Sequence, residues 1–388
     1  MYTNFQDNSN FGYALKKNIN TNNYDNTFVH HKNKKNIQYE VESDLFLKTT
    51  KEYKNEKYIL KIFGGSTSFC NQVDQSESYF ENAFNKISNE LNFFYKNYSI
   101  PGHDILHDYH KLKNIAVSSF PVSESIFLFN YGWNEEFINS VYRNAINNNR
   151  PLNSIETNFI YCKNNLLSFL SKNYFLAKFI KKSTNKKFVK LMDFHGINRW
   201  VNFTDKNYYK YWINNFSKIS KLIVGKKSII FNNPGLACLS DTNDEIKYII
   251  SKTRLNSSYH LYQALCLEIN TIVNYNISNF YKIPIIDISS IFKKIDAKKR
   301  LEFFIDEIHL SSKGHQFLSN ILIDEISKID LNKIPKLQST DMNVLKKQVE
   351  KDIKPFLDVA KREIFKNYNS KAPGSTVPSD RYPSYQFK

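Results

Sequence analysis

The chain has 388 residues, of which 41% are hydrophobic, so it can bury the core of one large domain or two modest ones. Its formal net charge of +17 favours anionic partners such as acidic glycans or anionic lipid. Nucleic acid is disfavoured, because the positive charge comes overwhelmingly from lysine, and arginine, the usual reader of bases and phosphates, is scarce and scattered.

The cysteines exclude two classes of site. Cys70, Cys162, Cys238 and Cys266 lie far apart with no C-x-x-C pair, so neither a zinc site nor a disulfide framework is indicated and buried free thiols are expected. No apolar segment typical of a signal peptide occurs near the start, and the longest apolar stretch, 166–180, is too short and too rich in lysine to span a bilayer. We therefore expect a cytoplasmic protein and leave association with a membrane surface open.

A polar arm precedes the first predicted strand. Residues 1–57 are rich in Asn, Lys and His with scattered aromatic residues, which indicates an arm packed on the body of the protein. The β-prone run 58–63 predicts a buried strand that stops at Gly64 and Gly65, and Ser66 follows at once. Open α/β sheets build their sites at the carboxyl ends of strands, so Ser66 is a candidate nucleophile. Capping of the next helix is its structural alternative.

The next segment contains a second strand end and two histidines. A helix is predicted from about 77 to 91, with Ser76 or Ser78 as its cap, and a strand from 93 to 99 that ends near Gly102. His103 and His107 lie one helical turn apart, so metal binding must be considered. Because no H-E-x-x-H pattern is present, a polar helix face is favoured over a metal site.

The third predicted strand, 125–130, is followed by Asn134 just past its end. This asparagine is a candidate for the site, and helix capping is its alternative role. Residues 150–200 form a predicted insertion with apolar side chains at helical spacing. The insertion suits core packing or a cover over the site, with a membrane-surface helix as the alternative.

The alternation of helices and strands continues to about residue 330. A helix from about 204 to 224, a strand at 228–232, a helix from about 257 to 274 and a strand at 283–288 are predicted. Strands alternating with helices imply a parallel sheet covered on both faces. We therefore predict an α/β protein, and the doubly wound arrangement that we expect for it is a flavodoxin-like three-layer α/β/α sandwich with a five-stranded parallel sheet in the order 2-1-3-4-5. In that order Ser66 and Asn134 would meet at the switch point.

The last candidate residues follow the fifth strand. Asp306 and His309 are three residues apart, so one turn can direct both side chains to the same side, where the carboxylate would orient the imidazole. Ser311 or Ser312 would cap a final helix to about 329. An amphipathic helix is expected from about 341, which Pro355 would bend or break, and a loose tail from about 367.

Four short blocks in order resemble the SGNH hydrolases, also called the GDSL esterase/lipase superfamily, and in particular bacterial members with a GGST block. The blocks are Gly64-Gly65-Ser66-Thr67, Pro101-Gly102, Gly132-Trp133-Asn134-Glu135 and Asp306-Glu307-Ile308-His309-Leu310, which Gly314-His315 continues. The segment 10–18 also resembles an upstream segment of bacterial members. Two departures are that Glu135 replaces the Asp of the G-x-N-D block and that the GGST form lacks the Asp of GDS. The resemblance implies one hydrolase domain over 58–330, with an N-terminal arm at 1–57 and a C-terminal helix and tail at 331–388.

The resemblance also implies roles for the candidates. Ser66 would be the nucleophile, His309 its base and Asp306 the acid that orients the base. The oxyanion hole would consist of the Ser66 amide, the Gly102 amide and the Asn134 side chain. No metal or organic cofactor is implied. The expected function is that of a serine esterase acting on acyl esters, O-acetyl esters first among them, with a carbohydrate or lipid as the rest of the substrate.

Three alternatives stay open at this point. An O-acetyltransferase could use the same triad and would transfer to a sugar acceptor faster than to water. A lipid or thioester hydrolase could use the insertion as an acyl-binding wall. A glycan- or membrane-surface binding protein with a relic site would show salt-sensitive binding that Ser66→Ala leaves unchanged.

Overall fold

Two small antiparallel pairings lie in the N-terminal segment. The structure, a computed structural model, describes residues 5–8, 12–15, 19–22, 36–39, 47, 49–70, 73–101, 103–115, 123–130, 207–253, 257–338 and 341–369. Strand β1 (Phe5–Asn8) pairs with β2 (Gly12–Leu15), and β3 (Ile19–Asn22) pairs with β4 (Asn36–Tyr39). The predicted packing of this arm on the body stays a prediction, as do the three domain boundaries.

The central sheet consists of five strands that are almost entirely buried. They are, in chain order, β5 (Tyr58–Gly64), β6 (Phe93–Asn97), β7 (Glu124–Asn130), β8 (Lys227–Asn232) and β9 (Ile285–Asp287). Their order across the sheet is β6-β5-β7-β8-β9, and all four pairings are parallel. Counted among these five, the order is 2-1-3-4-5, so the predicted sheet is confirmed.

Helices cover both faces of this sheet. The helices are α1 (Ser66–Phe69), α2 (Tyr79–Ile87), α3 (Ile105–Ile115), α4 (Asn207–Leu222), α5 (Asn243–Lys252), α6 (Ser257–Tyr281), α7 (Ile288–Phe292), α8 (Ala297–Glu302), α9 (Ser312–Ser327) and α10 (Met342–Asn369). In β7, Phe127 and Phe129 belong to a core shared with α3, α4, α6 and α10. Ile126 and Leu128 belong to a second core shared with α2, α7, α8 and α9. Successive residues of β7 thus pack on opposite faces of the sheet, which confirms the three-layer α/β/α arrangement.

The ends of several elements differ from the predicted ones for local reasons. Helix α6 continues to Tyr281 and stops where Lys282 takes the left-handed conformation, with φ of 58°. Strand β9 begins only at Ile285, because Pro284 has no amide to donate to the ladder. Helix α2 begins at Tyr79, and Ser78 is its cap, as the sequence allowed.

Helix α10 runs without interruption through Pro355, which lies on its exposed side. The proline removes one helical hydrogen bond, and a carbonyl on the solvent side can bind water instead.

Within the described residues, none of the helices combines the length and the apolar character that a membrane crossing needs. Cys70, Cys238 and Cys266 are buried free thiols, as predicted; Cys162 and the predicted insertion at 150–200 lie outside the described residues.

Candidate active site

Two glycines place Ser66 at the carboxyl end of the central strand. A Cβ atom on Gly64 would lie 2.6 Å from the Asn130 carbonyl oxygen of the neighbouring strand, and one on Gly65 would lie 2.9 Å from the His103 carbonyl oxygen. Side chains are therefore excluded on both sides of this turn. Ser66 then begins helix α1 and is half-buried, so its hydroxyl is accessible at the edge of the sheet.

A tight hairpin at 303–311 carries the candidate acid and base. The Ile305 amide donates to the His309 carbonyl at 2.9 Å and closes the turn between them. Gly314 in the first turn of α9 packs against this hairpin so closely that a Cβ atom would lie 2.1 Å from the Phe303 carbonyl oxygen. Glycine at 314 therefore lets helix and hairpin approach each other.

The structure brings Ser66, His309 and Asp306 together. Ser66 Oγ lies 2.7 Å from His309 Nε2, although the two residues are 243 positions apart. His309 Nδ1 lies 2.6 Å from Asp306 Oδ2, and the other carboxylate oxygen accepts the backbone amides of Ile308 at 3.0 Å and His309 at 2.7 Å. The His309 and Asp306 side chains are 18% and 28% exposed, so a small molecule can reach the imidazole edge.

The carboxylate controls the charge of the imidazole. Burial alone would lower the pKa of His309, but the charge and hydrogen bond of Asp306 outweigh burial and raise this pKa above its ordinary value. Burial would likewise raise the pKa of Asp306, whereas His309 and the two backbone amides lower it. Asp306 therefore stays ionised and stabilises an imidazolium.

The two remaining predicted oxyanion donors, Gly102 and Asn134, lie outside the described residues. The assignment of all these residues to catalytic roles stays a prediction. Within the described residues, no group of three or more His, Cys, Asp or Glu side chains is arranged to hold a metal ion.

The backbone next to Ser66 is supported by Tyr79 and Asn130, to which the sequence analysis gave no role in the site. The Tyr79 hydroxyl donates to the Thr67 carbonyl at 3.2 Å, and Asn130 Nδ2 donates to the Tyr79 hydroxyl at 3.2 Å. The His315 ring stacks on Tyr79 with centroids 5.5 Å apart. Asn130 could have been found from sequence, because it is the last polar residue of a buried strand that ends beside the site.

The loop after β8 also contacts the site. Asn233 Nδ2 donates to Thr67 Oγ1 at 3.2 Å, and the Leu236 amide donates to the Glu307 carbonyl at 3.0 Å. The sequence signal was Asn233-Pro234-Gly235 directly after a strand, at the edge where the other candidates lie.

The histidines considered for metal binding lie in a buried network instead. His103 and His107 stack with ring centroids 4.5 Å apart, and His107 Nδ1 lies 2.7 Å from Asp104 Oδ1. The Tyr211 hydroxyl donates to the other oxygen of Asp104 at 2.5 Å. His107 lies on α3 and is buried, so the predicted polar helix face packs inside the protein, whereas His103 precedes the first residue of this helix.

The arrangement can support nucleophilic chemistry. A hydroxyl within hydrogen-bond distance of an imidazole can lose its proton as it attacks an electrophilic carbon. The imidazole is fixed in one orientation, because its other nitrogen is bound to a carboxylate.

Comparisons with known proteins show distant structural similarity. No family model and no curated protein matches the chain. The chain is similar to the structure of a member of the lipolytic protein G-D-S-L family from Veillonella parvula, with 11% identity, a TM-score of 0.37, and coverage of 70% of this chain and 100% of that one. It is also similar to a lipase/acylhydrolase from Enterococcus faecalis, with 10% identity, a TM-score of 0.37, and 72% and 99% covered. For an acetylxylan esterase mutant from Geobacillus stearothermophilus, the identity is 12%, the TM-score 0.36, and the coverage 69% and 93%. With TM-scores below 0.5, these similarities assign neither a family nor a reaction to this chain.

Proposed function

We propose that the protein is a serine hydrolase that cleaves carboxylic esters. The observation that carries this proposal is the 2.7 Å contact between Ser66 Oγ and His309 Nε2, with the opposite ring nitrogen bound to Asp306 at 2.6 Å. A hydroxyl is a weak nucleophile until a base takes its proton, and this contact supplies the base within the required 2.6–3.2 Å.

The proposed reaction has two steps. Ser66 Oγ attacks the ester carbonyl carbon while His309 Nε2 takes the hydroxyl proton; the bond to the leaving alcohol then breaks, and His309 gives that alcohol the proton. A water molecule repeats the sequence on the acyl-enzyme and releases the carboxylic acid. Asp306 stays ionised and stabilises the imidazolium formed in each step.

The oxyanion of each tetrahedral intermediate needs hydrogen-bond donors. We assign this role to the Ser66 amide, the Gly102 amide and the Asn134 side chain, on the basis of the sequence blocks that contain them. Loss of one such donor typically costs about 3 kcal/mol of transition-state stabilisation. Asn134→Ala is therefore expected to lower kcat by about a hundredfold.

The substrate is proposed more narrowly as an O-acetyl ester with a carbohydrate as its alcohol portion. Two features of the sequence support this: the resemblance of the blocks around Ser66 and His309, and the formal net charge of +17, which suits an acidic polymer. Rates on acetylated neutral and acidic oligosaccharides, measured at low and high salt, separate recognition of the acetyl ester from attraction of the positive charge to an acidic polymer.

The direct test is a panel of p-nitrophenyl esters of rising acyl length. We expect hydrolysis by the wild type, loss of hydrolysis in Ser66→Ala, and full activity in a matched exposed-serine control, Ser240→Ala. Hydrolysis that survives Ser66→Ala would overturn the proposal. If the acyl group were transferred faster to an added sugar than to water, the same triad would instead belong to an acyltransferase.

A further inference from the structure

One short segment contacts both halves of the candidate triad. Asn233 Nδ2 donates to Thr67 Oγ1 at 3.2 Å, on the residue that follows the nucleophile. Three positions later, the Leu236 amide donates to the Glu307 carbonyl at 3.0 Å, inside the turn that carries the acid and the base. We call residues 233–236 the bridging segment.

The bridging segment is built to be stiff. Pro234 has a fixed φ, and Pro234, Gly235 and Leu236 are all buried. A Cβ atom on Gly235 would lie 3.2 Å from a methyl group of Leu267 on helix α6, so this helix packs directly against the segment. The segment therefore cannot adjust freely to either of its two partners.

A buried arginine fixes the far end of the bridging segment. Arg300 is 1% exposed, and its Nε donates to the Leu236 carbonyl at 2.7 Å. Its Nη2 donates to Asp241 Oδ1 at 2.5 Å, and the other oxygen of Asp241 lies 2.9 Å from His260 Nε2. The Leu236 backbone is thus held at its carbonyl by the guanidinium and at its amide by the turn that carries Asp306 and His309.

We propose that the bridging segment sets the distance between Ser66 and His309, and that Asn233 is a positioning residue that acts through Thr67. The inference rests on the proposed function. The local turn fixes how the imidazole is oriented on Asp306, but the position of that turn relative to Ser66 depends on contacts between distant parts of the chain. A misplacement of about 1 Å at a reacting centre can lower a rate by about a hundredfold.

The test uses the full chain with four variants. Asn233→Ala removes the donor, Thr67→Val removes its acceptor, and the double variant removes both. Asn233→Asp restores the link, because a carboxylate oxygen can accept a hydrogen bond that the Thr67 hydroxyl donates. Asn343→Ala, at an exposed position, is the matched control. For each protein, kcat and KM are measured per active site, with the sites counted by fluorophosphonate titration.

Asn233→Ala is expected to lower kcat per titrated site about tenfold with KM unchanged, since the chemistry loses alignment and substrate binding does not. Asn233→Asp should recover most of this loss, and the double variant should be no slower than Asn233→Ala. A purely structural role would lower the melting temperature and the titratable fraction while leaving kcat per site intact, and that result would overturn the proposal.

Three other results would also overturn the positioning role. A change in KM that depends on the alcohol of the ester would make Asn233 a substrate contact. Additive effects of the two single variants would show that Asn233 does not act through Thr67.

The failure of the proposed function can be told apart from the failure of the positioning role. A wild type that neither hydrolyses esters nor is labelled at Ser66 would refute the proposed function itself. An active wild type with an unaffected Asn233→Ala would refute only the positioning role.

Discussion

The chain contains two Asp-x-x-His turns in which the carboxylate binds the imidazole of the same turn. In one, Asp104 Oδ1 lies 2.7 Å from His107 Nδ1; in the other, Asp306 Oδ2 lies 2.6 Å from His309 Nδ1. In both, the carboxylate also accepts the backbone amides of the second and third following residues. In both places the spacing lets the carboxylate orient the imidazole, although the surroundings differ.

The surroundings separate the two turns. The side chains of Asp104 and His107 are 4% and 1% exposed, and the Tyr211 hydroxyl occupies the second carboxylate oxygen. The pair at Asp306 and His309 is 28% and 18% exposed, and its Nε2 faces the hydroxyl of Ser66. An oriented histidine becomes a candidate base only where its far nitrogen meets a nucleophile that substrate can reach.

The largest expected contrast comes from removing each imidazole in turn. His309→Ala should lower kcat by a factor on the order of 10⁶, because Ser66 loses its base. His107→Ala should keep kcat per folded molecule within about tenfold and lose about 3 kcal/mol of stability, because the buried Asp104 carboxylate loses its imidazole partner. Ester hydrolysis and urea unfolding of both variants measure the contrast. Equal losses of activity in the two variants would contradict the different roles given to His309 and His107.

Removing each carboxyl charge should give the next largest difference. Asp306→Asn should lower kcat by a factor on the order of 10⁴ and should also shift the pH profile. In the wild type, Asp306 raises the pKa of His309, so the acid limb of kcat/KM should lie above pH 6.5, the ordinary value for histidine. In Asp306→Asn, the charge that does most to oppose burial is lost, so the pKa of His309 should fall and the limb should move to lower pH.

Asp104→Asn is the control for this profile, and its acid limb should stay where the wild type has it. Rates measured between pH 5 and 9 report both variants. An unchanged limb in Asp306→Asn would mean that another group sets the pH dependence.

A smaller effect is expected from Tyr211, whose hydroxyl donates to Asp104 in the buried turn. Tyr211→Phe removes a hydrogen bond to a buried carboxylate and should cost about 1.5–3 kcal/mol of unfolding free energy without changing kcat/KM. Tyr275→Phe is a matched control, because its hydroxyl donates to Asp287 at 2.8 Å from a residue that is 38% exposed. The control should lose less stability. A greater loss in Tyr275→Phe would contradict the role given to burial.

The smallest effect at neutral pH concerns His315, which has no carboxylate partner in the described part of the chain, unlike His107 and His309. Burial, with a contribution from the charge of His309, lowers the pKa of His315 to about 3. As the pH falls below about 6.5, the unfolded chain binds a proton at this position that the folded chain does not, so stability declines by about 1.4 kcal/mol per pH unit. His315→Phe keeps the ring stacking on Tyr79 but removes the titrating group. Between pH 6 and 4, the slope of the unfolding free energy against pH should therefore become smaller by the equivalent of one proton. An identical slope in urea unfolding would argue against the lowered pKa.

Much of the framework could be predicted because its signals are local. A strand buried on both faces must be apolar throughout, so runs such as 58–63 and 125–130 are visible in the sequence. The turn at Asp306 and His309 is equally local, since three residues contain both partners. From these features the buried strands and the pairing of the candidate acid with the candidate base could be predicted.

The remaining parts depend on contacts that no short stretch of sequence contains. Asn233 and Thr67 are 166 positions apart, and Arg300 reaches the carbonyl of Leu236, which is 64 positions away. The same limitation applies to His107, where the spacing predicts a polar helix face but cannot tell whether that face packs inside the protein. Only the packed fold distinguishes the buried turn from the exposed one.

The most direct measurement of the central claim is covalent labelling with a fluorophosphonate, read by intact mass and peptide mapping. If Ser66 and His309 act as nucleophile and base, a single adduct forms on Ser66, is absent in Ser66→Ala, is lost in His309→Ala, and persists in His107→Ala. An adduct on another residue, or equal labelling of the wild type and His309→Ala, would contradict the account.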